Sequence, residues 1–332
     1  MSTATEIDGV LVQWGERLFY PRNRIVRSTS TPRLSGSISQ RAAAIRRRIQ
    51  ATVVRRAPQV MVKVTGGGRG MAAIAAHFRY ISKSGRLPFE DDRGVVREGK
   101  EALHDLAEQW RHGGSFIDET SHRREAFNIM LSMPSGTEPL IVQRAAREFA
   151  QAELGDHRCV MVLHHHQANP HVHLSVRAES RHGKRLNPRK ADLQRWRETF
   201  AEKLRGWGID AESTRQRVRG QVHNHVAIWR VKAAAEGRLR SAMRPTRSGA
   251  GLEKDRGMAA EAWIQLADGL SRSELPEDRA LARHVDRFLC GRVAVDSKRQ
   301  FMVAPHAQQI IQTVSQTLNA VATKREGPDV GR

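Results

Sequence analysis

The chain has 332 residues, with 56 Lys+Arg against 35 Asp+Glu, so its formal net charge is +21. That length allows one large domain or two modest ones. The two cysteines, Cys159 and Cys290, exclude a disulfide framework, and no stretch reaches the roughly 18 apolar residues of a membrane span.

So large an excess of positive charge disfavours a compact chain unless a polyanion offsets it. Nucleic acid is the commonest such partner, because each neutralised phosphate releases a condensed counterion. The first residues, Met1 to Trp14, carry Glu6 and Asp8 and have no apolar core of signal-peptide length. A soluble, cytoplasmic protein without membrane insertion is the expectation. Aromatic residues make up only 5%, and the two tyrosines can be weighed one at a time.

Taken in order, residues 1–20 form a short element whose type the sequence leaves open. Residues 21–56 hold ten arginines and no acid. Their Ser/Thr/Pro-rich first half reads as a flexible arm, and Ile38 to Arg56 either as a basic helix that forms on DNA or as a solvated tail, between which the sequence does not decide. Gln59 to Thr65 alternates like a strand. Gly66, Gly67, Gly68 and Gly70 then break it, and a helix runs from Met71 to Lys83. Those glycines are not a phosphate loop, because no Gly-Lys-Ser/Thr follows them; a strand-to-helix turn is the simpler reading. Residues 84–125 are polar, with a helix from Glu98 to Trp110.

Ala126 to Met133 is a second strand. Val142 to Leu154 is a helix with one apolar face at 142, 145, 146, 149, 150 and 154. Arg158 to His166 and His171 to Glu179 are strands joined by a turn at Gln167–Pro170. An amphipathic helix spans Leu193 to Gly206, and Gln221 to Trp229 is a last strand. Residues 238–257, rich in Arg, Ser, Gly and Pro, read as a linker. Helices follow at Ala259–Leu270, Glu277–Cys290 and Gln308–Thr323. The order predicts an α+β fold: a mostly antiparallel sheet with packed helices, followed by a small helical region. The expected division is a basic, partly flexible arm at 1–56, a catalytic domain at 57–230, a linker at 231–257 and a helical region at 258–332.

Val162 to Arg177 reads VLHHHQANPHVHLSVR. Side chains two apart on a strand share a face, so His171 and His173 point one way, as do His164 and His166. Pairing across the turn sets His164 opposite His173 and His166 opposite His171, with cross-strand Cβ atoms about 5 Å apart. Several imidazoles then converge on a rigid sheet. Such a set suits a divalent cation acting as a Lewis acid, and equally a catalytic zinc.

Tyr80 lies in HFRYISKSG, at the flank of a helix face carrying Ile74, Phe78 and Ile81, with Arg79, Lys83 and Arg86 around it. It is an ordinary half-buried residue or a nucleophile that conserves the cut bond as a covalent link. Tyr20 has no comparable setting beyond Arg22 and Arg24.

At these residues the chain resembles relaxases of the HUH endonuclease superfamily, the strand-specific nicking enzymes of mobilisation, and in particular the class of the agrobacterial T-DNA border nickase. His164, Pro170, His171 and His173 match that class's histidine motif, RYISKSG resembles the segment bearing its tyrosine, and NIMLSMPSGT resembles a middle motif whose serine, here Ser132, helps place DNA. The motifs span about 58–220 in the family's order. One departure stands out: the family's Asp, two residues after the first histidine, is His166 here, which cannot supply negative charge to a neighbouring ligand.

The resemblance implies Tyr80 as nucleophile, His166 as the candidate proton acceptor, His164, His171 and His173 as ligands of Mg²⁺ or Mn²⁺, and Ser132, Arg79, Lys83 and Arg177 as DNA contacts. The substrate is then single-stranded DNA at a transfer origin, rejoined later through a 5′-phosphotyrosine. Accessory relaxosome proteins and a type IV secretion coupling protein are the implied partners, with export alongside bound DNA. Three alternatives stay open: a rolling-circle initiator or transposase of the same superfamily, a zinc hydrolase that needs no Tyr80, and a non-catalytic DNA-binding relaxosome subunit.

Overall fold

The computed structural model describes residues 4–20, 34, 36–165, 168–214, 218 and 250–290. The strand expected at 221–229 and the helix expected at 308–323 lie outside them, as does His166.

A six-stranded sheet forms the centre, ordered β1-β4-β6-β5-β2-β3, with neighbours antiparallel. Its strands are β1 (Met61–Gly66), β2 (Phe89–Asp91), β3 (Val96–Arg97), β4 (Ala126–Ser132), β5 (His157–His164) and β6 (His171–Ser180). The fold is α+β, as the alternation of elements predicts. β2 and β3 are absent from the sequence reading, because strands of three and two residues carry no periodicity. They are held by charge instead. Glu90 is buried and accepts hydrogen bonds from Nε and Nη2 of Arg147, and the Asp91 carboxylate accepts from the backbone N–H groups of Arg93 and Val95.

The two faces of the sheet are covered differently. On one, α5 (Pro139–Leu154) and α6 (Lys190–Gly206) bury Phe149, Trp196 and Phe200 against Ile129, Leu131, Val172, Leu174 and Val176. These strand residues alternate with those facing the other way, the period-2 signature of a sheet covered on both sides. On the second face, α3 (Met71–Ile81) and α4 (Lys100–His112) pack Ile74, Phe78, Leu106 and Trp110 over Val160 and Val162. The Phe78 and Trp110 rings meet edge to face at 5.0 Å.

A separate helical core joins residues near the N-terminus to residues 250–290. α1 (Ala4–Phe19) and α2 (Ile38–Ile49) pack with α7 (Ala250–Ser271) and α8, residues 276–290, around Leu11, Ile45, Ile49, Trp263 and Leu266. α7 begins inside the stretch expected as linker. Ser37 and Gln40 form a capping box at the start of α2, each side chain bonding the other's backbone N–H. α2 passes into a π turn at Gln50–Val54. The helix expected to form on DNA is thus folded in the protein itself. Its apolar positions 42, 45 and 49 seek a partner, and Arg46 bridges Asp8 and Asp278.

Candidate active site

β5 and β6 carry the histidines. The pairing places His164 opposite His171 and Val162 opposite His173. This corrects the expected register by two residues: β5 ends at His164, and the connection spans 165–170 rather than a four-residue turn. A shift of two preserves the face, so the three imidazoles still converge. Ring centroids are 4.7 Å apart for His164–His173 and 5.1 Å for each of the other two pairs, and one nitrogen from each ring lies within 4.8 Å of the others.

Backbone carbonyls set two of the rings. His164 Nε2 donates to the Ile81 carbonyl at 2.6 Å, and His171 Nδ1 donates to that of Asn169 at 2.9 Å. Fixing one ring nitrogen as the donor leaves the other as the lone-pair donor, which is how outer contacts orient metal-binding histidines. His173 Nδ1 is buried with no hydrogen-bond partner among the described residues. Burial, then the neighbouring His164, His171 and His77, push its pKa down to about 3. A buried, unpartnered nitrogen among imidazoles fits a cation better than it fits an apo core, since an unsatisfied buried polar atom is costly. The three rings suit a divalent metal.

α3 brings the tyrosine. Ile74, Phe78 and Ile81 are buried, which anchors the helix and leaves Tyr80 at its flank, 71% exposed. The Tyr80 ring lies 6.4 Å from that of His173, edge on. Because the Ile81 carbonyl accepts from His164, the residue next to the tyrosine is tied directly to the triad. The chain leaves α3 sharply: Ser82 Oγ donates to the Phe78 carbonyl, and Lys83, Ser84 and Gly85 all take positive φ. Only glycine fits at 85, where an added Cβ would lie 2.6 Å from the Gly99 carbonyl. Upstream, Gly68 N–H bonds the Ala126 carbonyl, so the glycine run is a close turn against β4.

One residue of the site is missing from the sequence reading. His77 stacks on Tyr80 at 6.2 Å and meets His173 edge on at 6.4 Å. Its Nε2 is buried without a partner among the described residues, and burial pushes its pKa down to about 4. A histidine one helical turn before a tyrosine shares its side of the helix; that spacing was the available signal.

The DNA-contact candidates separate. Arg79 and Lys83 are exposed beside Tyr80. Ser132 is buried opposite His171, its hydroxyl donating to the Pro170 carbonyl at 3.3 Å. Arg177 is a correction. It shares the face of His173, but it is only 3% exposed and donates to the carbonyls of Trp110 and Ser115. The helix α4 and its following turn cover that end of the face, so Arg177 holds the end of α4 and does not face solvent.

With this geometry in view, residues 90–209 match the family model for the relaxase, MobA/VirD2-like, nuclease domain. The match supports a relaxase of the HUH type. It runs from β2 through α6 and contains the triad and Ser132, while α3 with Tyr80 precedes it. No curated protein matches the chain. A relaxase nuclease domain implies a DNA endonuclease that nicks in mobilisation, and such domains generally depend on metal. Among the described residues, no helix is long and apolar enough to cross a membrane.

Proposed function

We propose that the protein nicks and rejoins one DNA strand at the transfer origin of a plasmid or integrative element, with Tyr80 as nucleophile and a 5′-phosphotyrosine as intermediate. The observation that carries this reading is the approach of the Tyr80 ring to His173 of the triad, between residues far apart in the chain. In the reaction, the Tyr80 oxygen bonds to the scissile phosphorus, the bond from phosphorus to the 3′ oxygen breaks, and that oxygen leaves as a 3′-hydroxyl. The reverse attack rejoins the strand. His164, His171 and His173 would hold Mg²⁺ or Mn²⁺. A bound cation of this kind supplies Lewis-acid polarisation of the phosphate.

Arg79 and Lys83 lie where they can meet phosphate oxygens beside the tyrosine. His77 packs against the rings of both Tyr80 and His173 and helps orient them. His166 remains the candidate acceptor of the tyrosine proton and lies outside the described residues. The resemblance to the class of the T-DNA border nickase, relaxosome and type IV secretion partners, and cytoplasmic residence with export alongside DNA belong to the same proposal. So does the division into arm, relaxase domain, linker and helical region.

A denaturing gel tests it. Labelled single strands covering candidate origins are incubated with the protein, with or without Mg²⁺ or Mn²⁺. A metal-dependent adduct that survives denaturation and vanishes in Tyr80→Phe is the expected result. Cleavage that persists in Tyr80→Phe would assign a hydrolytic nuclease instead. Binding with no cleavage of a proven origin would assign a DNA-binding subunit.

A further inference from the structure

The last four carbonyls of an α-helix have no partner inside the helix. In α3 these belong to Phe78, Arg79, Tyr80 and Ile81. The turn that follows supplies partners for three of them. Ser82 gives its backbone N–H and its hydroxyl to the Phe78 carbonyl, at 3.0 and 2.7 Å. Ser84 gives its N–H to Arg79 at 2.7 Å, and Lys83 gives its N–H to Tyr80 at 3.4 Å. The fourth partner comes from the sheet: buried His164 donates from Nε2 to the Ile81 carbonyl at 2.6 Å. A histidine of the triad is thus also the cap of the helix that bears Tyr80.

The Ser82 hydroxyl links the two halves of the turn that aims this carbonyl. Ser82 is fully buried, and its Oγ also accepts the Gly85 N–H at 3.0 Å. The Gly85 carbonyl accepts the N–H of Gly99, the residue before α4, at 2.9 Å. Between them Lys83 and Ser84 hold φ at 51° and 60°. Residues other than glycine keep that conformation only where their surroundings impose it.

We propose that His164 couples two events, cation binding at the triad and ordering of the helix end that carries Tyr80, with Ser82 as the positioning residue that sets the Ile81 carbonyl for it. That this ordering serves nicking rests on the tyrosine reading above. An imidazole that holds a cation on one nitrogen donates a stronger hydrogen bond from the other. The C-terminal, negative end of a helix dipole also favours a cation nearby. Each event therefore favours the other, and such coupling is reciprocal. Whatever loosens the turn weakens metal binding, and metal tightens the turn. Tyr80, 71% exposed, is positioned in this way through the backbone of its neighbour.

Hydrogen–deuterium exchange tests this on the wild type, without DNA and without nicking. Peptides covering 78–87 should exchange at least about fivefold more slowly in saturating Mn²⁺ than in EDTA, the lower end of coupling between linked sites. Peptides from α8 should not change, and His171→Ala, which removes a ligand, should lose the effect. Calorimetric titration reads the reverse direction. Ser82→Ala should bind Mn²⁺ about five- to tenfold more weakly than wild type. Val285→Ala, which opens a cavity in the helical core, should bind as wild type does. Histidines labelled with nitrogen-15 give a signature that lost stability alone does not move. The His164 Nε2–H resonance of the metal-free protein should shift or exchange with water in Ser82→Ala and persist in Val285→Ala.

Mn²⁺ that binds at the triad without slowing exchange at 78–87 overturns the coupling, as does a folded Ser82→Ala that binds Mn²⁺ as tightly as wild type. The wild-type exchange decides the matter even where the Ser82 variant does not fold. No Mn²⁺ binding by the wild type overturns the coupling together with the metal assignment. The adduct gel judges the tyrosine reading separately, and Tyr80→Phe should keep the full exchange effect, because the link runs through the Ile81 backbone.

Discussion

Two sets of basic residues lie close together in this chain and are used in opposite ways. In α2, Arg46 bridges Asp8 and Asp278, and Arg48 reaches Glu198 on α6 and Glu212. These arginines are part of the structure: they tie the helical core to itself and to the sheet domain. A few residues later Arg56 and Lys63 make no ion pair among the described residues and line a groove along β1. The net charge of +21 is therefore not spread evenly in function. Part of the basic content is neutralised internally, and what faces the site is left for an anionic ligand.

Breaking that comparison gives graded outcomes. The largest expected effect is at Arg46. Arg46→Ala leaves the Asp278 carboxylate buried without its partner and should cost on the order of 3 kcal/mol, read by urea denaturation. Affinity for (dT)20 should stay within a factor of two, because this arginine is internal; a tenfold loss of affinity would place α2 on the DNA instead. Arg177→Ala should behave alike, at about 1–3 kcal/mol for the carbonyls of Trp110 and Ser115 left unsatisfied, with DNA binding retained.

Arg79→Ala and Lys83→Ala belong to the other class. Each should weaken binding of single-stranded DNA several-fold and lower the salt slope by about 0.7 while leaving the denaturation midpoint unchanged. A lower midpoint would show that they are structural after all. A further effect concerns protons. With metal removed, NMR should find the His77 imidazole neutral down to about pH 4. Its folded pKa lies below the unfolded value near 6.5, so the unfolded chain takes up the proton first. Stability should therefore fall as pH drops from about 6.5 towards 4, and the fall should be reduced in His77→Gln.

Much of the sheet domain was legible because its segments are long and strongly periodic. The face of α5 at positions 142, 145, 146, 149, 150 and 154 is buried as a unit, and the alternation in β4 and β6 places the core-facing residues correctly. The triad was legible for the same reason: a period of two puts His171 and His173 on one face, and a register shift of two cannot remove His164 from it. What escaped was short or held by charge. β2 and β3 depend on Glu90–Arg147 and on the Asp91 turn, and the first of these joins residues distant in sequence.

By itself, then, the sequence determined which side chains share a strand or helix face, because that follows from local backbone geometry. It determined the α+β class, the imidazole set and the place of Tyr80 beside a buried helix face. Only the tertiary structure decided what lies across from each face. It set His77 against both Tyr80 and His173, turned Arg177 inward under the end of α4, folded α2 into a core with α7, and gathered Arg56, Lys63 and Lys190 along one groove. Each of these depends on which elements dock and at what register, and docking is a property of the whole packed chain, which no local period encodes.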